Sequence, residues 1–108
     1  MPVERFVVRD GSILALEVEW HSGRFEWVES PAATGLRGRI ERIRAEAGAH
    51  WPDGYCSELN AGLEPWLASV ADSLERGVAL FVDYGLPRRE LYSAERSAGT
   101  LLCHFRHR

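Results

Sequence analysis

Between Arg5 and Glu29 apolar and polar positions alternate with the period of two that belongs to a strand. The run RFVVR leads into Asp10-Gly11, a dipeptide that favours a tight type I′ hairpin turn, and SILALEVEW follows. In that second run Leu14, Leu16, Val18 and Trp20 share one continuously apolar face. The other face starts with Ile13 and Ala15 and becomes charged at Glu17 and Glu19. His21-Ser22-Gly23 makes a second turn, and RFEWVE returns with Phe25 and Trp27 on one side. The pattern predicts a three-stranded antiparallel meander over residues 5–29.

Ser30-Pro31-Ala32-Ala33 breaks that rhythm, and the period then changes. Leu36, Ile40, Ile43 and Ala47 recur at spacings of four, three and four, which predicts a helix over 35–48 with Thr34 as a plausible cap. Its other face carries Arg37, Arg39, Glu41, Arg42, Arg44 and Glu46, a set that reads first as a solvated face. GAHWPDG reads as a loop, and YCSEL as a short strand or an extended approach to the next helix. That helix is expected from about Gly62 to Arg76, with Leu63, Trp66, Leu67, Val70, Ala71 and Leu74 as its apolar stripe. Pro65 falls in the first turn, where a missing N–H costs nothing, Asn60 is placed to initiate the turn, and Gly77 stands at the stop.

From Val78 the run VALFVD shows no alternation, the signature of a strand buried on both faces as in a parallel sheet. A helix, Gly77 and then this run make the αβ half of a βαβ unit. A polar loop follows, and TLLCHF resumes as a strand. Residues 54–108 thus read as helix, strand, loop and strand, and residues 1–108 as one α/β unit.

Composition narrows the reading. At 108 residues, 45% of them hydrophobic and with four tryptophans, the chain can build a core. Its net charge of −3 offers no basic field for nucleic acid, so none is expected as a partner. The longest apolar runs are too short to cross a bilayer, so no membrane is expected either. Glu4, Arg5, Arg9 and Asp10 interrupt any signal-peptide core, giving an expected cytoplasmic location, or a mitochondrial one if the source is eukaryotic. Cys56 and Cys103 read as reduced thiols, and the Cys103, His104 and His107 cluster lacks the ligands that a zinc site needs, so no metal is expected.

Candidate chemistry gathers where VALFVD ends. Ligands of open α/β sheets bind outside the carboxyl ends of strands, which makes Asp83, Tyr84 and Gly85 cleft candidates. Asp83 would accept hydrogen bonds from a ligand or cap the turn. Tyr84 would wall a pocket or pack beneath the loop, and Gly85 would let the backbone bend sharply. Glu58, just before the second helix, is a carboxylate for acid–base work or for helix-entry electrostatics. His104 and His107 are proton-shuttle candidates without a visible partner. No GxGxxG, P-loop, GxSxG or HExxH is present, so motifs alone stop at an α/β domain.

A wider set of residues carries a resemblance. Gly54-Tyr55, Ser57-Glu58, Asn60, the Trp66 helix, Asp83-Tyr84-Gly85, Tyr92, Arg96, and Gly99-Thr100-Leu101 with His104 and His107 resemble the MidA-like methyltransferases. That group includes the mitochondrial complex I assembly-factor methyltransferase. The similarity is strong over residues 54–108 and weaker towards the start, where Met1-Pro2-Val3 resembles the tail of a family segment. The resemblance implies a class I, Rossmann-like methyltransferase sheet with the meander as an insertion. S-adenosylmethionine would be the cofactor and protein arginine a substrate class. Met1, Pro2 and Gly85 would lie on the substrate side of the cleft, with Asp83, Tyr84 and Glu58 near it and no catalytic residue assigned. The glycine-rich cofactor loop and ribose-binding acid of such enzymes fall outside the matching positions. The resemblance therefore implies a partial chain that binds no cofactor alone and is inactive in isolation. A non-catalytic α/β interaction module is the alternative, and exposed strand edges would favour a homodimer.

Overall fold

The computed structural model describes residues 3–82 and 84–101. Strand β1 spans Glu4–Arg9, β2 Ser12–His21 and β3 Arg24–Pro31. Helix α1 spans Thr34–Ala47, β4 Cys56–Leu59, α2 Leu63–Asp72 and the single turn α3 Arg88–Leu91. The sheet is antiparallel in the order β3-β2-β1-β4, so the expected meander forms and gains a fourth strand from YCSEL.

The two hairpins explain themselves locally. Arg9 pairs with Ser12 and His21 with Arg24, leaving two-residue loops at 10–11 and 22–23. All four central residues have positive φ: 49° and 76° at Asp10 and Gly11, 49° and 90° at Ser22 and Gly23. That is type I′ geometry, whose twist matches the flanking strands, and glycine occupies each position where a side chain would be most strained.

The core lies on the face that looks less apolar in sequence. Phe6, Val8 and Ile13 pack with Leu36, Ile40 and Ile43 of α1 and with Trp51, Tyr55 and Tyr92. The opposite face of β2 and β3, with Val18, Trp20, Phe25 and Trp27, stays exposed. Trp51 is the hub of the core: its ring stacks on Tyr55 with centroids 4.8 Å apart, and its indole N–H donates to the Tyr92 carbonyl at 2.9 Å. The stretch GAHWPDG, read as a loop, thus contributes one of the largest fully buried side chains.

Several expectations need correction. Thr34 does not cap α1; Ala33 holds that position and makes no side-chain cap bond, while Gly48 closes the helix in the left-handed conformation. Helix α2 stops at Asp72 rather than Arg76, so Gly77 is not its terminator. Asn60 does shape the entry, its side-chain oxygen accepting the Gly62 N–H at 3.1 Å. The largest correction concerns residues 78–82, which form no strand; Val78, Leu80, Phe81 and Val82 are exposed. A strand buried on both faces needs a hydrogen-bonding neighbour along its edge and a packed layer above and below. The described residues supply neither, and Phe81, more than half exposed, packs edge-on against Trp66 at 5.1 Å. The βαβ unit is therefore not completed here. Thr100 and Leu101, where TLLCHF begins, are also outside any strand. The rest of that run, with Cys103, His104 and His107, lies outside the described residues.

Candidate functional site

A groove of about 750 Å³ opens between α1, β4 and α2. Helix α1 contributes Arg39, Arg42, Ile43 and Glu46, whose spacing of three or four keeps them on one side of the helix. Helix α2 supplies Leu63, Glu64 and Leu67, and the segment around α3 supplies Leu86, Arg88, Leu91 and Tyr92. Val3, Glu58, Leu59, Asn60 and Thr100 form the remaining wall.

Charge inside the groove is paired at one point. The Arg88 guanidinium bonds the Glu46 carboxylate, tying α3 to α1, and Arg39 donates to the Ala61 carbonyl at 2.9 Å. Arg39, Arg42 and Glu64 carry no ion pair among the described residues, so two guanidinium groups and one carboxylate of the groove lack a partner of opposite charge.

Glu58 is the buried carboxylate of this wall, 8% exposed. Its Oε1 accepts from the Thr100 backbone N–H at 2.5 Å and from the Thr100 hydroxyl. Its Oε2 is buried without a hydrogen-bond partner. The Glu58 carbonyl accepts from the Tyr92 hydroxyl at 3.0 Å. Around it the 97–100 segment runs along the outer edge of β4. The Cys56 N–H donates to the Ser97 carbonyl at 2.8 Å, Arg5 donates to the Ala98 carbonyl at 3.1 Å, and Cys56 forms a parallel bridge with Ala98.

Burial sets the acid–base character of the neighbours. It pushes the Tyr55 and Tyr92 phenols above their ordinary range, and the Cys56 thiol upward as well, with the guanidinium of Arg5 partly opposing it. The Ser57 hydroxyl pulls the Tyr55 phenol down somewhat, yet neither hydroxyl has a partner at hydrogen-bond geometry. All three shifts favour neutral forms, so none of these groups is an activated nucleophile or base.

Of the residues the sequence singled out, Glu58 lines the groove. Tyr84 and Gly85 lie in irregular chain and do not, although their neighbour Leu86 does; Tyr84 is fully exposed. Asp83, Met1 and Pro2 lie outside the described residues. Sequence reasoning passed over Thr100, Tyr92 and Trp51 as parts of one network. Their signal was faint, a tryptophan in a loop and a threonine about forty positions from its carboxylate partner.

Comparison with known proteins gives the family of the chain. Over residues 1–108 the sequence matches the family described as "Putative S-adenosyl-L-methionine-dependent methyltransferase". The chain belongs to that family. Two crystal structures from Burkholderia thailandensis are similar to it, each at 32% sequence identity over 100% of this chain. One is an uncharacterized protein, with a TM-score of 0.85; the other belongs to the same superfamily and is bound to S-adenosyl-homocysteine, with a TM-score of 0.84. This chain spans 28% and 27% of their lengths. No curated protein matches the sequence.

The described residues do not themselves fit the family's cofactor. A nucleoside cofactor needs a glycine-rich strand-to-helix turn and an acceptor free for the ribose hydroxyls. Among the described residues no parallel strand leads through such a turn into a helix. The buried carboxylate of Glu58 is engaged by Thr100 on one oxygen and sealed from solvent on the other.

Proposed function

We propose that this chain forms part of a MidA-like, S-adenosylmethionine-dependent methyltransferase acting on arginine side chains of proteins, and that it does not transfer methyl groups in isolation. The observation carrying this reading is the family match over all 108 residues, joined to a groove with no cradle for the cofactor among the described residues. In it the groove between α1, β4 and α2 is part of the substrate-side wall. Glu64 attracts a cationic side chain at the groove, while Leu63, Leu67 and Leu91 receive its aliphatic stem. Asp83, Met1 and Pro2 stand in the same reading as cleft residues, and the cytoplasm as its location.

Isothermal titration of the chain with S-adenosylmethionine tests the inactivity: no saturable heat is expected, and tight binding would overturn it. The acceptor class is tested by supplying a polypeptide with the glycine-rich half and a tritiated methyl donor. Label is expected in methylarginine after hydrolysis of protein acceptors, and label confined to other residues would refute an arginine substrate.

The second reading, a non-catalytic protein-interaction module, is favoured by the exposed strip of Val18, Trp20, Phe25 and Trp27. Aromatic rings presented together on a rigid sheet suit a protein interface. Under that reading, substitutions at Trp20 and Phe25 abolish partner binding while Glu64→Gln leaves it unchanged.

A further inference from the structure

Glu58 is a carboxylate of the kind that serves acid–base chemistry, but its surroundings describe another task. A general acid or base has to reach the reacting atom through a hydrogen bond or one water. The Glu58 carboxylate instead points at its own chain. One oxygen takes both the amide and the hydroxyl hydrogen of Thr100, and the other is buried against Gly99.

Gly99 supplies the second, independent observation. It has φ of +77°, a conformation that side chains rarely adopt, and a Cβ placed on it would lie 2.3 Å from Glu58 Oε2. The backbone angle thus favours glycine at this position, and any side chain there would have to displace the carboxylate. Two requirements forty residues apart in sequence meet at one point in space: a carboxylate at 58, and glycine followed by a hydroxyl residue at 99 and 100.

We infer that Glu58 is a positioning residue: its carboxylate fixes the path of Gly99 and Thr100, and through them the Thr100 wall of the groove. The charge is well suited to this, because an ionised acceptor makes shorter and roughly twofold stronger bonds to N–H and O–H donors than a neutral one. Two neighbouring anchors share the load. The Arg5 bond to the Ala98 carbonyl and the Cys56 bond to the Ser97 carbonyl hold the segment one and two residues upstream. Neither reaches Thr100, so the last step of the path depends on Glu58. That the positioned wall faces a substrate rests on the function proposed above; the positioning itself does not.

Amide hydrogen exchange and the Thr100 amide proton shift, read by NMR on the 108-residue chain, separate these roles. Glu58→Ala should speed Thr100 exchange at least tenfold while the amides of β1 and β2 keep their protection. Glu58→Gln, which retains the acceptor oxygen but not the charge, should restore most of the protection and move the Thr100 amide proton upfield. Should Glu58→Ala fail to fold, Gly99→Ala provides a second reading by displacing the carboxylate without removing it: Thr100 exchange accelerates and its proton shifts upfield. Unchanged Thr100 exchange in a folded Glu58→Ala or Gly99→Ala chain would overturn the inference. So would a Glu58→Gln chain no better protected than Glu58→Ala. None of these readouts involves methyl transfer, so a failed activity assay and a failed positioning test remain distinguishable.

Discussion

Individual side chains in this protein are tuned mainly by burial and by single ionic partners. Arg9 on β1 and Glu29 on β3 reach across β2, with Arg9 Nε 2.9 Å from Glu29 Oε1. That hydrogen bond holds the Glu29 carboxyl below its ordinary value of 4.5 and raises the Arg9 guanidinium. Because the folded pKa is the lower one, the pair's contribution is full above about pH 4.5 and disappears as pH falls through the depressed value. Both groups are well exposed, so the effect is small. Urea midpoints measured from pH 6 down to pH 3 should fall less steeply in Glu29→Gln than in the native chain; parallel curves would refute the coupling. At the alkaline end the sign reverses. Tyr55 and Tyr92 keep their protons above the ordinary pKa of 10.0, so stability is level below that pH and falls as pH rises through their raised values. Tyr92→Phe should flatten the decline of the urea midpoint between pH 9.5 and 11, and an unaltered slope would contradict the assignment.

At the level of elements, the meander shows how a face is chosen. Read alone, β2 offers Leu14, Leu16, Val18 and Trp20 as its obvious buried side. Helix α1 covers the other side, because Phe6, Val8 and Ile13 meet Leu36, Ile40 and Ile43 at the near end of the strands. The distal half of the chosen face, with Glu17 and Glu19, extends beyond the helix into solvent. The neglected side keeps its rings in contact with one another, Trp20 against Phe25 at 4.9 Å, and Arg5 sits 4.8 Å from the Trp27 centroid. Ile13→Ala should therefore cost about 2–5 kcal/mol of unfolding free energy. Val18→Ala, on the more apolar-looking side, should stay within about 0.5 kcal/mol. Chemical denaturation of both variants checks this, and a reversed order would mean the wrong face has been assigned to the core.

For the whole molecule, the organised part is the sheet with α1 and the aromatic hub. Helix α2 buries no residue fully, and the apolar run after it is exposed. The radius of gyration is 16.3 Å, against about 13 Å for a compact domain of this size. An exposed, uncharged run of β-favouring residues is a template for intermolecular strand pairing. The chain is accordingly expected to self-associate at micromolar concentrations in sedimentation velocity. The double variant Leu80→Asp, Val82→Lys should shift it towards monomer, and an association unaltered by those charges would place the contact elsewhere, with the exposed meander face as the next candidate.

The sequence alone determined the features that depend on neighbours a few residues away. Hairpin turns at Asp10-Gly11 and Ser22-Gly23, the period of α1 and the Asn60 entry to α2 are local matters of backbone angle and side-chain spacing. The spread of residues resembling a methyltransferase family was legible too, since a family pattern is itself a sequence property. What only the tertiary structure decided was pairing and covering. An apolar face states that something should pack on it, without stating what, and so α1 chose between the two sides of β2. An unalternating run states that it suits burial on two sides, yet residues 78–82 found no neighbouring strand among the described residues and stay exposed, with Phe81 against Trp66. The link from Glu58 to Gly99 and Thr100 was likewise invisible, because a hydrogen bond between positions 58 and 100 follows from the path of the fold, and no local period in the chain encodes that path.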